Sequence, residues 1–344
     1  MKSDFTIRCL HHRSEDENLG VLKKIGVDDY GLVAMLPKMS HLNIYMETIP
    51  CRTANIIKQE MLSIGGDAAV SKDSVACMED NTDVLIMGTV KEVRLFIQKI
   101  QKQPFGLHRL SQQLKTILSN ITINSYEVTT PRRKIILKDR TLLMGIVNVT
   151  PDSFSDGGCF FSLEDALDHG CMLADEGADI LDIGGESSRP GSEPIPLEEE
   201  IRRVVPVVEK LVGRIDIPIS VDTCKAEVAR RALQAGAEIV NDISALRFDP
   251  GMAGVAASFG AAVILMHMRG TPKTMQLGDL SYRSLTGEII IFLRERIDSA
   301  VQEGIPEESI ILDPGMGFGK SSEDNLRILK YLPEFKVIGR PLLI

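Results

Sequence analysis

Met144-Gly145-Ile146-Val147-Asn148-Val149-Thr150-Pro151-Asp152-Ser153-Phe154-Ser155-Asp156-Gly157-Gly158 begins as a buried strand and breaks into a polar, Gly-rich loop. Asn148 stands at the strand's end, and Asp152, Ser153, Ser155 and Asp156 crowd the loop. Packing does not select an amide, hydroxyls and carboxylates at the end of a buried run, because polar groups there cost free energy unless they are used. A plain loop can hold the same residue types. Repetition separates the two readings: four more apolar runs in this chain end in an acid or an amide.

Those runs are regularly spaced. Strands are expected at Leu142–Val149, Asp179–Ile183, Pro218–Thr223, Glu238–Ser244, Ala261–Met268, Ser309–Asp313 and Pro341–Ile344. Amphipathic segments lie between them at Ser162–Glu176, Pro196–Val212, Lys225–Ala235, Tyr282–Gln302 and Ser322–Tyr331. Continuous Val/Ile/Leu runs mark parallel strands buried on both faces. Seven β units in βα order point to an α/β protein, a (β/α)8 TIM barrel, more than to an open doubly wound sheet. Ile344 falls inside the seventh expected strand. The two readings of that end are a fragment of a barrel or an open sheet, and the fragment is the expected one, inactive and weakly stable by itself.

With 344 residues the chain has room for two domains. Residues 131–344 form the barrel region, and residues 1–130 read as a small α+β domain of unassigned role. In the latter, strands are expected at Leu42–Ile49, Asp67–Ser71 and Asp83–Thr89, and helices at Thr53–Ser63, Val90–Gln101 and Leu107–Leu118. The β-α-β-β-α order suggests a ferredoxin-like arrangement. Pro131-Arg132-Arg133 reads as the linker.

The first 130 residues balance their charges, so the whole net charge of −9 lies in the barrel region. An acidic domain is a poor nucleic-acid binder. No apolar run is long enough to span a bilayer, and Met1-Lys2-Ser3-Asp4-Phe5 has no apolar signal core. Six scattered cysteines with no C-x-x-C pair read as free thiols of a cytoplasmic protein.

The other strand ends carry the chemistry. Asp182-Ile183-Gly184-Gly185-Glu186-Ser187-Ser188-Arg189-Pro190-Gly191 pairs glycines, which let a backbone approach a ligand, with a hydroxyl and a planar cation suited to carboxylate or phosphate. An ordinary turn with a paired Arg reads the same way. Asp222 follows a buried run, as a helix cap or as a ligand group. Asn241 offers a donor and an acceptor, as an Asx-turn or as a reader of a heterocycle's edge. Met266-His267-Met268 either lines a flat pocket or packs the core. Leu312-Asp313-Pro314-Gly315-Met316-Gly317-Phe318-Gly319-Lys320 resembles a phosphate loop but has Pro314 where the P-loop pattern needs Gly. Asn148, Asp182, Asp222, Asn241 and Asp313 together converge on a barrel mouth and suit a nitrogen-rich ring with N–H donors. No Ser-His-Asp order, H-E-x-x-H or Cys nucleophile context is present in the sequence.

Five of these stretches, in this order over about residues 140–344, resemble the dihydropteroate synthase family. The resemblance implies a (β/α)8 barrel that joins 4-aminobenzoate to a dihydropterin methyl diphosphate, releasing diphosphate and forming 7,8-dihydropteroate for folate biosynthesis. It implies Mg²⁺ held by Asn148, and a pterin ring bound by Asp222, Asn241 and Asp313. Ser188 stands where many members have Thr. Asp152 and Arg189 become the catalytic residues, while Pro190, Phe154, Phe318 and Lys320 join the substrate-binding set, in the pocket where sulfonamides compete. It further implies a homodimer built by C-terminal helices, and substrate contacts from Ser-Arg-Lys and Arg-x-His segments expected beyond Ile344. The partners are small molecules, with neither nucleic acid nor membrane. Two alternatives are a corrinoid methyltransferase on the same barrel and a non-catalytic pterin-binding or regulatory paralogue.

Overall fold

A computed structural model describes residues 8, 10, 14–74, 78–150, 163–187 and 192–344. The chain divides into two units, residues 1–119 and 120–344.

In the first unit, Ser14 and Glu17 form a capping box that starts α1 (Glu15–Ile25), and Gly26 ends it in the left-handed region at φ +89. Asp28 caps α2 (Asp29–Met39) by accepting the Gly31 N–H. Then follow β1 (His41–Pro50), α3 (Cys51–Leu62), β2 (Asp67–Val70), β3 (Asn81–Thr89), α4 (Val90–Ile100) and α5 (Leu107–Asn120). The sheet order is β1-β3-β2, and β3 runs antiparallel to both neighbours. This is the expected β-α-β-β-α arrangement, with α1 and α2 preceding it. Ile57, Met61, Ile86, Phe96 and Ile100 close its core with almost no exposed surface.

The second unit opens with a hairpin, β4 (Tyr126–Thr129) and β5 (Lys134–Leu137). Pro131-Arg132-Arg133 is the turn of that hairpin, not a linker between units. Six parallel strands follow: β6 (Met144–Asn148), β7 (Ile180–Gly184), β8 (Ile219–Asp222), β9 (Ile239–Asp242), β10 (Ala262–Met266) and β11 (Ile310–Asp313). They pair strictly in sequence order, β6 to β11. That order is a barrel wall; a doubly wound sheet would reverse direction partway. Between them run α6 (Leu163–Asp175), α7 (Leu197–Leu211), α8 (Ala226–Ala235), α9 (Met252–Phe259) and α10 (Leu285–Gln302), and α11 (Ser322–Lys330) follows. α9 was not expected: its Ala/Gly-rich sequence has no polar face to give it a period. Pro341–Ile344 makes a single bridge, Leu312 to Leu342, in place of the seventh expected strand.

Alternation along each strand splits the unit into two layers. Leu181, Ile183, Val221, Val240, Val263, Leu265 and Leu312 pack against the helices. Ile180, Ile239, Ala262 and Ile264 point the other way and pack on Val128 and Ile135 of the hairpin. Thr130 Oγ1 donates to Glu238 Oε2 at 2.6 Å, just before β9, so the hairpin covers the N-terminal ends of the strands. The opposite, C-terminal ends are left for the site.

Candidate active site

The same period of two that buries Ile180 and Ile239 brings polar residues onto the inner face near the strands' C-terminal ends. Register places Asn148, Gly184, Asp222 and Asn241 in one row across β6 to β9. Asp182 lies one layer deeper beside Ser220. A Cβ added at Gly184 would lie 3.4 Å from Asn148 Oδ1 and 3.5 Å from Asp222 Oδ2, so this glycine leaves the two side chains facing a shared gap. Asn241 Nδ2 donates to Asp182 Oδ2 at 2.9 Å, which leaves Asn241 Oδ1 to accept from a ligand. Asp182 Oδ1 and Ser220 Oγ are buried without a partner among the described residues.

Electrostatics single out Asp222. Burial pushes its carboxyl well above the ordinary value, and the charges of Asp182, Asp242, Glu200 and Glu186 push it further. Burial also raises Asp182, against the nearby Ser220 hydroxyl and the hydrogen bond from Asn241. Inner-face carboxylates held this way gain free energy from a ligand that brings N–H donors. Asp242, one residue from Asn241 and on the opposite face, accepts the Ser244 and Leu246 N–H groups at 2.7 and 2.9 Å. The turn expected as an alternative for Asn241 is therefore made by its neighbour, and Asn241 is free for the pocket.

The loop after β11 builds the far wall. Asp313 Oδ1 accepts the Gly315 N–H at 2.6 Å, leaving its other oxygen. Burial raises the Asp313 carboxyl to about 6. Gly315 has φ +69, and a Cβ there would fall 2.0 Å from the His267 carbonyl oxygen, so only glycine fits. Lys320 is 2% exposed. Its ammonium donates to the carbonyls of Gly315 and Phe318 at 2.8 and 3.1 Å and sits 2.9 Å from His267 Nδ1. Burial brings Lys320 down to about 7. Burial, with the charges of Lys320, Arg269 and Arg247, brings His267 down to about 3, so the ring is neutral and accepts from the ammonium.

This corrects the expectation for Lys320. Its donors are spent inside the protein, so it pins the loop where a substrate contact was expected. Phe318 is half-buried and packs on Ile243, Met266, Met268 and Met275, which gives the site an apolar wall. Asn148 is exposed at the strand end. Asp152, Phe154, Ser188, Arg189 and Pro190 lie outside the described residues. Beside Asp222 a cleft of about 490 Å³ opens, bounded by Thr223, Cys224, Ile243, Phe248 and Pro272. Burial and the nearby Asp242 push the Cys224 thiol up, so it is no nucleophile. The sequence reading missed Glu186, Glu200 and Lys225, which meet at this cleft's edge.

Among the described residues, no cluster of three or more His, Cys, Asp or Glu is placed to hold a metal. Asn148 supplies one hard oxygen. That suits Mg²⁺, which takes one or two protein ligands and completes its shell with water and substrate phosphates. No helix among the described residues is long and apolar enough to cross a membrane.

Comparison with known proteins agrees with this geometry. The family described as "Pterin binding enzyme" matches residues 144–344. A dihydropteroate synthase of Synechocystis sp. is 52% identical over 206 residues, 60% of this chain and 71% of that protein. A probable bifunctional folylpolyglutamate synthase/dihydropteroate synthase of Haloferax volcanii is 34% identical over 342 residues, and the match takes in 97% of this chain but 40% of that protein. A Xanthomonas albilineans dihydropteroate synthase solved with 4-aminobenzoic acid superposes with a TM-score of 0.58 at 48% identity, over 63% of this chain and 77% of that one. With a family match over residues 144–344 and identity near one half to the first relatives above, the chain belongs to the dihydropteroate synthase family of pterin-binding enzymes.

Proposed function

We propose that this chain binds a dihydropterin methyl diphosphate on its inner face and joins it to 4-aminobenzoate, forming 7,8-dihydropteroate and diphosphate. The observation that carries the reading is Asp222, a carboxylate pushed well above its ordinary pKa by burial, in register with an Asn241 whose amide is oriented by Asp182. Asp222 and Asp313 accept from ring N–H groups, and Asn241 Oδ1 accepts beside them. Met266 and Phe318 cover the ring's faces. Held there, the ring can stabilise positive charge on its exocyclic methylene as the C–O bond to diphosphate breaks. The amine of 4-aminobenzoate then forms the new C–N bond and loses its proton, so the chain needs no nucleophile of its own. Asn148 would hold Mg²⁺, which when bound supplies charge neutralisation to the leaving diphosphate. Asp152 and Phe154 would shield the site from water, while Ser188, Arg189 and Pro190 would meet the second substrate. The free thiols of Cys51, Cys171 and Cys224 suit the cytoplasm.

The test uses Asp222→Ala and Asn241→Ala in the full-length protein. Each lost hydrogen bond to a buried ring costs about 1–3 kcal/mol. Calorimetric titration with the pterin diphosphate is expected to show binding falling accordingly, with the fold retained. Unaltered affinity in both variants would refute the assignment of this face.

A further inference from the structure

The turn that follows β9 is strained. Ala245 has φ +54 and Leu246 φ +64, so two adjacent L-residues occupy the left-handed region. There Cβ crowds the following carbonyl oxygen, and neither residue has the short polar side chain that offsets this for Asn or Asp. Among the described residues no other non-glycine pair in that region is adjacent in sequence. Leu246 buries its side chain in the core, which gives a reason to keep it. Ala245 buries only a methyl, so packing does not explain why that position is not glycine.

The turn is held from inside and from outside. Asp242 Oδ1 and Oδ2 accept the Ser244 and Leu246 N–H groups, and the Asp242 carbonyl accepts the Ala245 N–H at 2.9 Å. From α10, Arg296 Nε donates to the Ala245 carbonyl at 2.8 Å, while Arg296 Nη2 donates to Ser299 Oγ at 3.0 Å. Arg247 Nε donates to the Ser244 carbonyl at 2.8 Å, with its guanidinium 5.0 Å from the centre of the Phe292 ring. What these supports fix is Ile243. The β9–β10 ladder ends at Asp242, so the sheet does not hold the next residue. Ile243 is buried all the same, and packs with Met266, Met268, Met275 and Phe318 in the apolar wall of the proposed pocket.

We propose that Asp242 and Arg296 are positioning residues: they hold Ala245 and Leu246 in the left-handed region, and the turn so held keeps Ile243 in the wall that the pterin ring lies against. Asn241 needs no such help, because it lies within the ladder and is hydrogen-bonded to Asp182. Without its supports the turn relaxes out of the left-handed region, and only the fraction still strained binds the ring. Apparent affinity falls in proportion to that fraction. The identity of the ring rests on the proposed function; the strain and its supports do not.

The experiment compares Arg296→Met, Ala245→Gly and the double variant with wild type in the full-length protein. Affinity for the pterin diphosphate is read by calorimetry below the melting transition, and hydrogen exchange over 243–248 and over β8. Arg296→Met is expected to weaken affinity ~5- to 30-fold, the factor carried by one left-handed L-residue. It should speed exchange over 243–248 but not over β8. KM for 4-aminobenzoate, at saturating pterin diphosphate, should stay within about twofold. Ala245→Gly alone should bind like wild type. Added to Arg296→Met, it should restore most of the affinity and slow the exchange again, because glycine holds the same φ without support. Asp242→Asn is read against its own Ala245→Gly double variant and decides alone if Arg296→Met does not fold. The charge of Asp242 also raises Asp222, so only the loss that glycine restores belongs to the turn. Wild-type affinity in Arg296→Met, or a loss that Ala245→Gly leaves untouched, overturns the proposal. So does unchanged exchange over 243–248, whatever the activity. A wild type that binds no pterin diphosphate refutes the proposed function instead, and the exchange rates with and without Ala245→Gly then decide the turn.

Discussion

Gly315→Ala and Gly317→Ala share a loop and a backbone sign, yet the structure assigns them different costs. Gly315 has φ +69 and Gly317 φ +82, so either alanine is forced into the left-handed region. That costs an L-residue about 1–2 kcal/mol. Beyond this the sites diverge. A Cβ on Gly317 meets nothing within 4 Å, whereas a Cβ on Gly315 falls 2.0 Å from the His267 carbonyl oxygen and 3.1 Å from Met266 Cγ. The His267 peptide cannot retreat cheaply. Its N–H donates to the Asp313 carbonyl at 2.9 Å, and the Lys320 ammonium holds its oxygen at 3.3 Å. Relief therefore means distorting that backbone or breaking one of these bonds, about 2–3 kcal/mol more. Gly317→Ala should lose about 1–2 kcal/mol and Gly315→Ala about 3–5 kcal/mol. For a unit of this size each kcal/mol moves Tm by roughly 2–4 °C, so the drops are about 2–8 and about 6–20 °C. Scanning calorimetry of the full-length variants separates them. Pterin affinity, measured below both transitions, should fall only in Gly315→Ala, because that shift disturbs the 2.6 Å bond that orients Asp313. Equal losses in the two variants would show that the His267 contact does not govern this loop.

Asn148→Ala should leave pterin affinity and melting near wild type and lower turnover at limiting Mg²⁺; a magnesium titration curve identical to wild type would count against Asn148 as the ligand. His267 titrates at about 3 in the fold, against 6.5 for an ordinary histidine. A folded pKa below the unfolded one stabilises the fold above pH 6.5 and loses that contribution as pH falls toward 3. His267→Asn should therefore flatten the acid limb of stability against pH in urea titrations, and an unchanged slope would refute the neutral-ring assignment. Asp313 has the opposite sign, about 6 in the fold against an ordinary 3.8. Its contribution is complete below pH 3.8 and is lost as pH rises through 6, so Asp313→Asn should gain stability relative to wild type between those values. Equal stability offsets at about pH 4 and about pH 7 would contradict it.

The sequence by itself determined the barrel wall and the chemistry at its mouth. Ile180-Leu181-Asp182-Ile183-Gly184 already shows which residues share a face, because alternation is a property of the extended chain. Asp222, Asn241 and Asp313 stand out for a similarly local reason: an acid or amide closing an apolar run is costly unless something binds it. The β4–β5 hairpin escaped notice because four-residue strands around Pro131-Arg132-Arg133 carry little pattern. Which side chains meet was decided only by the tertiary structure. Lys225 reaches Glu186 across 39 positions, and Lys320 reaches His267 across 53. Neither separation has meaning along the chain. Those pairs exist because parallel strands set side by side bring their C-terminal loops together, and a long flexible cation then takes whichever carbonyls and carboxylates that packing supplies. A lysine after a glycine loop looks the same in sequence whether it faces a substrate or turns inward. For Lys320, burial and three backbone carbonyls turned it inward.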